Sequence, residues 1–249
     1  MTHIYLATQA VAAPTFDIYP WDEDPVNLLI SYHYIDSWNA VMEAAPQPYR
    51  PARLMLDSGA YSAWKSGVTV DINALVKETQ KSRYTESVAL DVIGDWKGSL
   101  NNARLMRDAG SPAYPVFHIG EPWGLLEDYC AEFPKVGLSC RFGESRAESL
   151  RFYDQCFARA WPHPFHSFGW MDQKMLHLYP FHSADSSSWE SGPLCWGQWL
   201  SYGGLQGKCR VPNEVAYRSL KAEIDPFLEL QRKLKFRWRK QLAQFTEVP

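Results

Sequence analysis

The stretch LMLDSGAYSAW, Leu54–Trp64, decides how the chain is read. It opens as a strand of large apolar residues, stops on the carboxylate of Asp57, and continues in small residues and aromatics. The same grammar returns in FHSADSSSWESG, Phe181–Gly192, where the carboxylate is Asp185 and three serines follow it. Two strands that each end on an aspartate predict a site built from strand ends.

Working outward, eight β-rich runs recur at intervals of about 20 to 30 residues: HIYLAT (3–8), NLLISYHY (27–34), RLMLD (53–57), SVALDVIG (87–94), AYPVFHIG (113–120), KVGLSC (135–140), PFHSFGW (164–170) and FHSADS (181–186). Several are continuously apolar, as strands buried on both faces should be. Between most of them lie helical patterns. The segment 71–83 opens on an Asp71 cap, 99–110 ends on Gly110, and 123–133 and 145–160 keep the same rhythm. Strand–helix alternation predicts a parallel sheet, and eight strands predict its closure into a (β/α)₈ barrel. The 249 residues match the usual size of one such barrel. A short link between the seventh and eighth strands and a loop-like first connection (9–26) predict an irregular one. The whole of 1–249 reads as a single domain with a C-terminal helical extension over about 213–245.

At 46% apolar and 21% charged residues the composition is that of an ordinary globular protein. No run of eighteen apolar residues exists, so no membrane span is expected. The start, MTHIYLATQAVAA, lacks the basic opening and long apolar region of a signal peptide, which points to the cytoplasm. The five cysteines (130, 140, 156, 195, 209) are scattered, without a C-x-x-C, so reduced thiols and no structural zinc are expected. The net charge of −3 argues against indiscriminate nucleic-acid binding. It is unevenly spread: the segment 226–249 carries a net +4 and the rest −7. A basic tail on an acidic body points weakly to a polyanionic partner.

Polar residues gather at the C-terminal ends of the runs: Asp57, Ser58, Asp91, Asp95, His118, Glu121, Ser139, Cys140, His166, Ser167, Asp185 and Ser186. Parallel barrels carry their active sites on that face. Asp and Ser also favour turns, so any one of these residues has a plain structural explanation. Six strand ends in register do not. Two carboxylates across one pocket are equipped for double displacement at a sugar carbon, one attacking the anomeric centre and the other moving protons. Hydroxyls and strand-end amides can hold the attacking carboxylate ionised, a task open to Ser186, Ser187 and Ser188, although the last two could equally form a serine turn. The serine of DSGAY lacks the G-x-S-x-G context of a hydrolase elbow. His118, His166 and His182 lack metal-ligand spacing, and SYGGLQGK (201–208) lies outside the alternation.

These residues bring out a resemblance. LMLDSGAYS resembles the D-S-G-G-[FY]-Q signature of the tRNA-guanine transglycosylases, and SVALDVIGD their next strand, which carries the base-reading aspartate. PVFHIGE stands where that family has V-Q-G-G, VGLSCRFGE resembles its glycine-rich G-E segment, FHSFGWMD its M-G-V-G strand, and FHSADSSSW its nucleophile strand. Order and spacing agree over about 50–190. The chain is most similar to the short phage-type relatives that insert 7-deazaguanines into DNA, with D-S-G-A-[FY]-S, D-V-I-G-D and S-x-D-S-[ST]-S-W.

The resemblance implies a glycosyltransferase of DNA modification that exchanges guanine for a 7-deazaguanine such as preQ0 through a glycosyl-aspartate. Asp185 would be the nucleophile at C1′ and Asp57 the general acid/base. Asp91 or Asp95 would read the guanine edge. Ser58, Gly59 and Tyr61 would shape the pocket, with Tyr61 stacking on the base. His118, Ser139 and Cys140 would touch its other edge, His166 would form the opposite wall, and Ser186 would contact sugar or phosphate. No cofactor is implied, the partner is DNA, a homodimer is left open, and a phage-encoded copy would work in the host cytoplasm. The chain departs from the tRNA enzymes in lacking the C-x-C-x-x-C…H zinc subdomain, where only Cys195 and Cys209 remain, and in Ala60, Ser62 and His118 standing for Gly, Gln and Gln. The same exchange on tRNA, a retaining glycoside or nucleoside hydrolase, and a non-catalytic nucleic-acid-binding barrel are the alternatives. In the tail, Phe227, Leu230, Leu234, Trp238, Leu242 and Phe245 share a helical face that can dock on the barrel. Arg232, Lys233, Lys235, Arg237, Arg239 and Lys240 cover much of the rest, either as a solvated face or as a phosphate-tracking surface that leads a strand to Asp185.

Overall fold

The computed structural model describes residues 2–9, 13–17, 19–140, 145–169, 173–193, 198–199, 205–206 and 213–243. Nine strand segments form one sheet: β1 His3–Thr8, β2 Asn27–Ser31, β3 Arg53–Asp57, β4 Glu86–Val88, β5 Ala113–Tyr114, β6 Val116–His118, β7 Val136–Ser139, β8 Phe165–Phe168 and β9 Ser183–Ser186. Every pairing is parallel, in the order β5-β4-β3-β2-β1-β9-β8-β7-β6. The two end segments are consecutive in sequence and separated only by Pro115. The Tyr114 carbonyl accepts from Ala89 on one side, and the Pro115 carbonyl accepts from Gly137 on the other. The sheet therefore closes on itself as an eight-stranded barrel, with one strand broken where proline has no amide hydrogen.

The helices are α1 Ala13–Asp17, α2 Ile35–Ala44, α3 Ala60–Lys65, α4 Ile72–Thr79, α5 Trp96–Asp108, α6 Trp123–Glu132, α7 Arg146–Ala160, α8 Gln173–Leu176, α9 Ser188–Ser191, α10 Asn213–Arg237 and α11 Arg239–Leu242. Their ends follow local chemistry. Asp71 accepts from the Asn73 and Ala74 amides to start α4, and Ser145 with Glu148 closes a capping box on α7. Gly110, at φ 79°, follows α5 in the left-handed conformation that ends helices. Six of the eight strands are shorter than the sequence reading, β2 and β4 at their C-terminal ends. β2 stops at Ser31 and passes through the 3₁₀ turn Tyr32–Tyr34 into α2, and β4 stops at Val88. The first connection, expected as loop, holds α1.

Register sorts the side chains into two cores. Tyr5, Leu29, Met55, Val88, Tyr114 and Val116 fill the barrel, with Ala7 and Phe168 against them. The alternate residues, among them Leu28, Leu54, Leu56, Phe117, Leu138, Phe165 and Ala184, face the helices. Gly137 leaves the space that the Phe168 ring occupies: a Cβ there would lie 2.4 Å from Phe168 Cε2. The helix α10 docks as its periodicity requires, burying Phe227, Leu230 and Leu234, each contributing about 1.5–3 kcal/mol. Leu242 is buried too, Trp238 is half-buried, and Phe245 lies outside the described residues.

The lower interior of the barrel is charged. Glu86 accepts from Tyr5 Oη at 3.0 Å, from Arg53 at 2.9 Å and from Lys135 Nζ. Lys135 also sits over the Tyr114 ring at 4.7 Å. Burial alone would raise Glu86, and the charge and hydrogen bond of Lys135 hold it down at about 2.

Candidate active site

At the opposite end, the strands stop on the carboxylates. Register brings Ser31 beside Asp57, and Tyr5 beside Asp185. Asp57 ends β3 facing the interior and accepts from the Gly59 amide at 2.9 Å. Gly59 itself sits at φ 72°, and a Cβ there would lie 2.6 Å from the His33 amide nitrogen, so this turn needs glycine twice over. Burial raises Asp57 to about 6, the Gly59 amide opposes the rise, and the charge of Asp185 adds to it. Ser58 is buried. Tyr61 is 50% exposed on α3 beside Trp64, their ring centroids 6.0 Å apart.

Asp91 follows β4. Burial raises it to about 7, with His118 opposing and Glu121 and Asp57 adding. His118 ends β6, with Nε2 3.6 Å from Asp91 and Nδ1 3.5 Å from Glu121, whose carboxylate also accepts from the His118 amide at 2.8 Å. Ser139, half-buried, pairs with His118 in register, and the half-buried Cys140 follows it. Asp95 separates from this group. It is exposed and caps α5, accepting from the Lys97 amide at 3.1 Å. Of the two aspartates named for base reading, the geometry brings only Asp91 to the other carboxylates.

Asp185 is 6% exposed on β9. Its Oδ1 accepts from the Gly169 amide at 3.1 Å and lies 3.2 Å from His166 Nε2. His166 occupies an inward position on β8 and is fully buried, its ring edge-on to Phe168 at 4.3 Å. One expectation is corrected here. The serines after Asp185 do not orient it. Strand alternation turns Ser186 to the other face, where its hydroxyl pairs with that of Ser188 at 2.8 Å and accepts from the Ser188 amide.

The basic tail is also corrected. In α10, Gln231 accepts from the Ile4 amide and from Asn27, both near the starts of their strands. Arg237 donates to the His177 carbonyl and Trp238 to that of Leu176, both before β9. A helix returning after the last strand runs back along the barrel. Arg232, Lys233, Lys235, Arg237, Arg239 and Lys240 therefore end at the face opposite Asp57 and Asp185. Arg232 and Lys233 also pair with Glu229 at 3.0 and 3.3 Å.

One acid escaped the sequence reading. Glu190, 3% exposed in α9, accepts from the Thr8 hydroxyl at 2.8 Å and the Gln9 amide at 3.0 Å, and burial raises it to about 7. Its position one residue after Trp189, on the first turn behind the strand that carries Asp185, was the available signal. Among the described residues no group of three or more His, Cys, Asp or Glu could hold a metal ion, and no helix is long and apolar enough to cross a membrane. Cys195 and Cys209 lie outside the described residues.

No family model matches the chain, and no curated protein matches it. Solved structures do. A protein from Coccidioides immitis assigned as a fructose-1,6-biphosphate aldolase aligns at TM-score 0.53 and 10% identity, over 94% of this chain and 93% of that one. The tryptophan synthase alpha chain of Legionella pneumophila aligns at TM-score 0.50 and 8% identity, over 90% and 92%. At such identities the likeness carries the fold alone: the chain is an α/β barrel of the (β/α)₈ type.

Proposed function

We propose that the chain is a guanine transglycosylase that replaces guanine in DNA by a 7-deazaguanine. The observation that carries this reading is the contrast between two facing carboxylates. Asp185 Oδ1 lies against His166 Nε2 and accepts from the Gly169 amide, whereas Asp57 accepts from the Gly59 amide and burial raises it to about 6. Asp185 attacks C1′, forming a C1′–O bond while the C1′–N9 bond breaks, and protonated Asp57 gives its proton to the departing guanine. Asp57 then removes the N9 proton of the incoming base, whose nitrogen attacks C1′ and releases the Asp185 carboxylate. A group near 6 can give and take that proton at neutral pH. Asp91, with His118 beside it, presents a carboxyl to the N1–H and amino edge of guanine, and Tyr61 offers a stacking face. Such a face contributes about 1–3 kcal/mol per base.

The test is incorporation of radiolabelled guanine into duplex DNA, single-stranded DNA and tRNA by the full chain and its Asp185→Asn variant. The expected result is label in DNA, lost in the variant. Label in tRNA alone would move the substrate to RNA. Abasic sites without label would make the protein a hydrolase, and binding without either would make it a non-catalytic barrel.

A further inference from the structure

We infer that His166 is a positioning residue for Asp185: its Nε2–H donates to Asp185 Oδ1 while its Nδ1 accepts from the Ser183 hydroxyl, so the ring selects which carboxylate oxygen meets the sugar. The inference rests on the reading of Asp185 as the nucleophile. Neither nitrogen of this ring was expected to touch a carboxylate.

Three inward side chains make the arrangement. His166 on β8 pairs in register with Ser183 on β9, and Asp185 is the next inward residue of that strand. His166 Nδ1 lies 2.8 Å from Ser183 Oγ and Nε2 lies 3.2 Å from Asp185 Oδ1. Both His166 and Ser183 are 0% exposed, so water cannot substitute for either contact. An ionised carboxylate only accepts. Nε2 must then carry the hydrogen, which leaves a lone pair on Nδ1, and the Ser183 hydroxyl is the donor placed to meet it. The other tautomer would set a lone pair against the Asp185 oxygen and leave an N–H facing a hydroxyl.

The charge state agrees. Burial lowers the His166 pKa, Asp185 opposes this, the Lys135 charge lowers it further and Glu86 opposes, with a net fall. The ring is therefore a neutral donor. Tyr5 and Tyr114 flank it at 6.2 Å each and Phe168 closes the third side. With the Gly169 amide also on Oδ1, both contacts from the described residues fall on one oxygen, which assigns Oδ2 the attack on C1′. Such fixing of a reacting atom is worth most when it holds a near-attack geometry.

Two substitutions separate the nitrogens. The amide of His166→Gln reaches the place of Nε2 and can donate to Asp185. The amide of His166→Asn reaches only the place of Nδ1. Formation of the covalent adduct on a guanine-containing oligonucleotide should slow on the order of a hundredfold in H166N. H166Q should recover to within about tenfold of the parent. Thermal unfolding of both variants checks that they fold.

The second arm needs no activity. Long-range ¹H–¹⁵N spectra of ¹⁵N-histidine-labelled protein, with the His166 signals identified by their loss in H166Q, should show Nε2 protonated and Nδ1 bare. Ser183→Ala should move the Nδ1 signal and Asp185→Asn the Nε2 signal. A protonated Nδ1, or an H166N variant that is folded and as fast as H166Q, would overturn the inference. If the parent forms no adduct, the nucleophile reading fails, and the spectra still decide whether the ring grips Asp185. If both variants unfold, the shifts in Ser183→Ala and Asp185→Asn identify the His166 signals, and the spectra decide alone.

Discussion

The two ends of the barrel bury carboxylates to opposite effect. At the lower end, Glu86 sits between Lys135, Arg53 and Tyr5 and is held near 2. At the mouth, Asp57 and Asp91 have no Lys or Arg partner among the described residues, and burial raises them to about 6 and 7. Desolvation acts on all three, and only the neighbours differ. A buried acid paired with fixed cations is part of the frame, whereas one raised by burial is a proton store. Strain of the second kind is expected where a site must do chemistry.

The largest test of this contrast is at the lower end. Lys135→Met leaves Glu86 partly uncompensated and should destabilise the fold by about 3–5 kcal/mol in urea titrations. Adding Glu86→Gln should recover part of that loss, since the pair fails together. The acid limb has a definite sign. Glu86 is lowered from 4.5 to about 2, so its contribution is complete above pH 4.5 and is lost as pH falls toward 2. A stability that showed no such loss would erase the distinction between the ends.

At the mouth the sign reverses. Asp57 is raised from 3.8 to about 6, so the folded state holds an extra proton in that window and loses stability as pH rises through it. Asp57→Asn should therefore stabilise the protein above pH 6 by about 1–3 kcal/mol, even as turnover disappears. A destabilised variant would mean that Asp57 is compensated like Glu86. Smaller again is the expected rate profile. Incorporation of the incoming base should fall below about pH 6 by up to tenfold per unit, as Asp57 takes up its proton.

The smallest effect is expected from the basic helix. Replacing Arg232, Lys233, Lys235 and Lys240 by Gln should leave DNA affinity and its salt slope unchanged, because these residues lie at the lower end. A slope reduced by about 0.9 per lost contact would show that DNA wraps past the mouth to that end.

Much of the fold was legible because a parallel barrel writes itself as apolar runs at regular spacing. The runs overshot where β-propensity outlasted the ladder. Tyr32, His33 and Tyr34 suit strands, yet they form a 3₁₀ turn that leads into α2. The site was legible where it lay on strand ends, as with Asp57, Asp91, His118 and Asp185. What escaped depends on direction or on distant partners. The inward turn of His166 follows from its register with Ser183, not from its type. Glu86 and Lys135 are separated by 49 residues and become a pair only once the barrel closes. The basic tail has the right composition for a phosphate surface, but helix direction, invisible in composition, carries it to the wrong end.

The break at Pro115 has a consequence for which residues see the cavity. A parallel strand can in principle slide along its neighbours, and a slide of one residue exchanges its two faces. Here that would turn Val116 and His118 outward and bring Phe117 and Ile119 into the barrel. Pro115 gives its carbonyl to Gly137 and has no hydrogen to give in return. A shifted strand would carry that missing donor, and the ring behind it, to a different point of the ladder. The proline thus behaves as a notch: the barrel can close at one setting, and at that setting His118 faces Asp91.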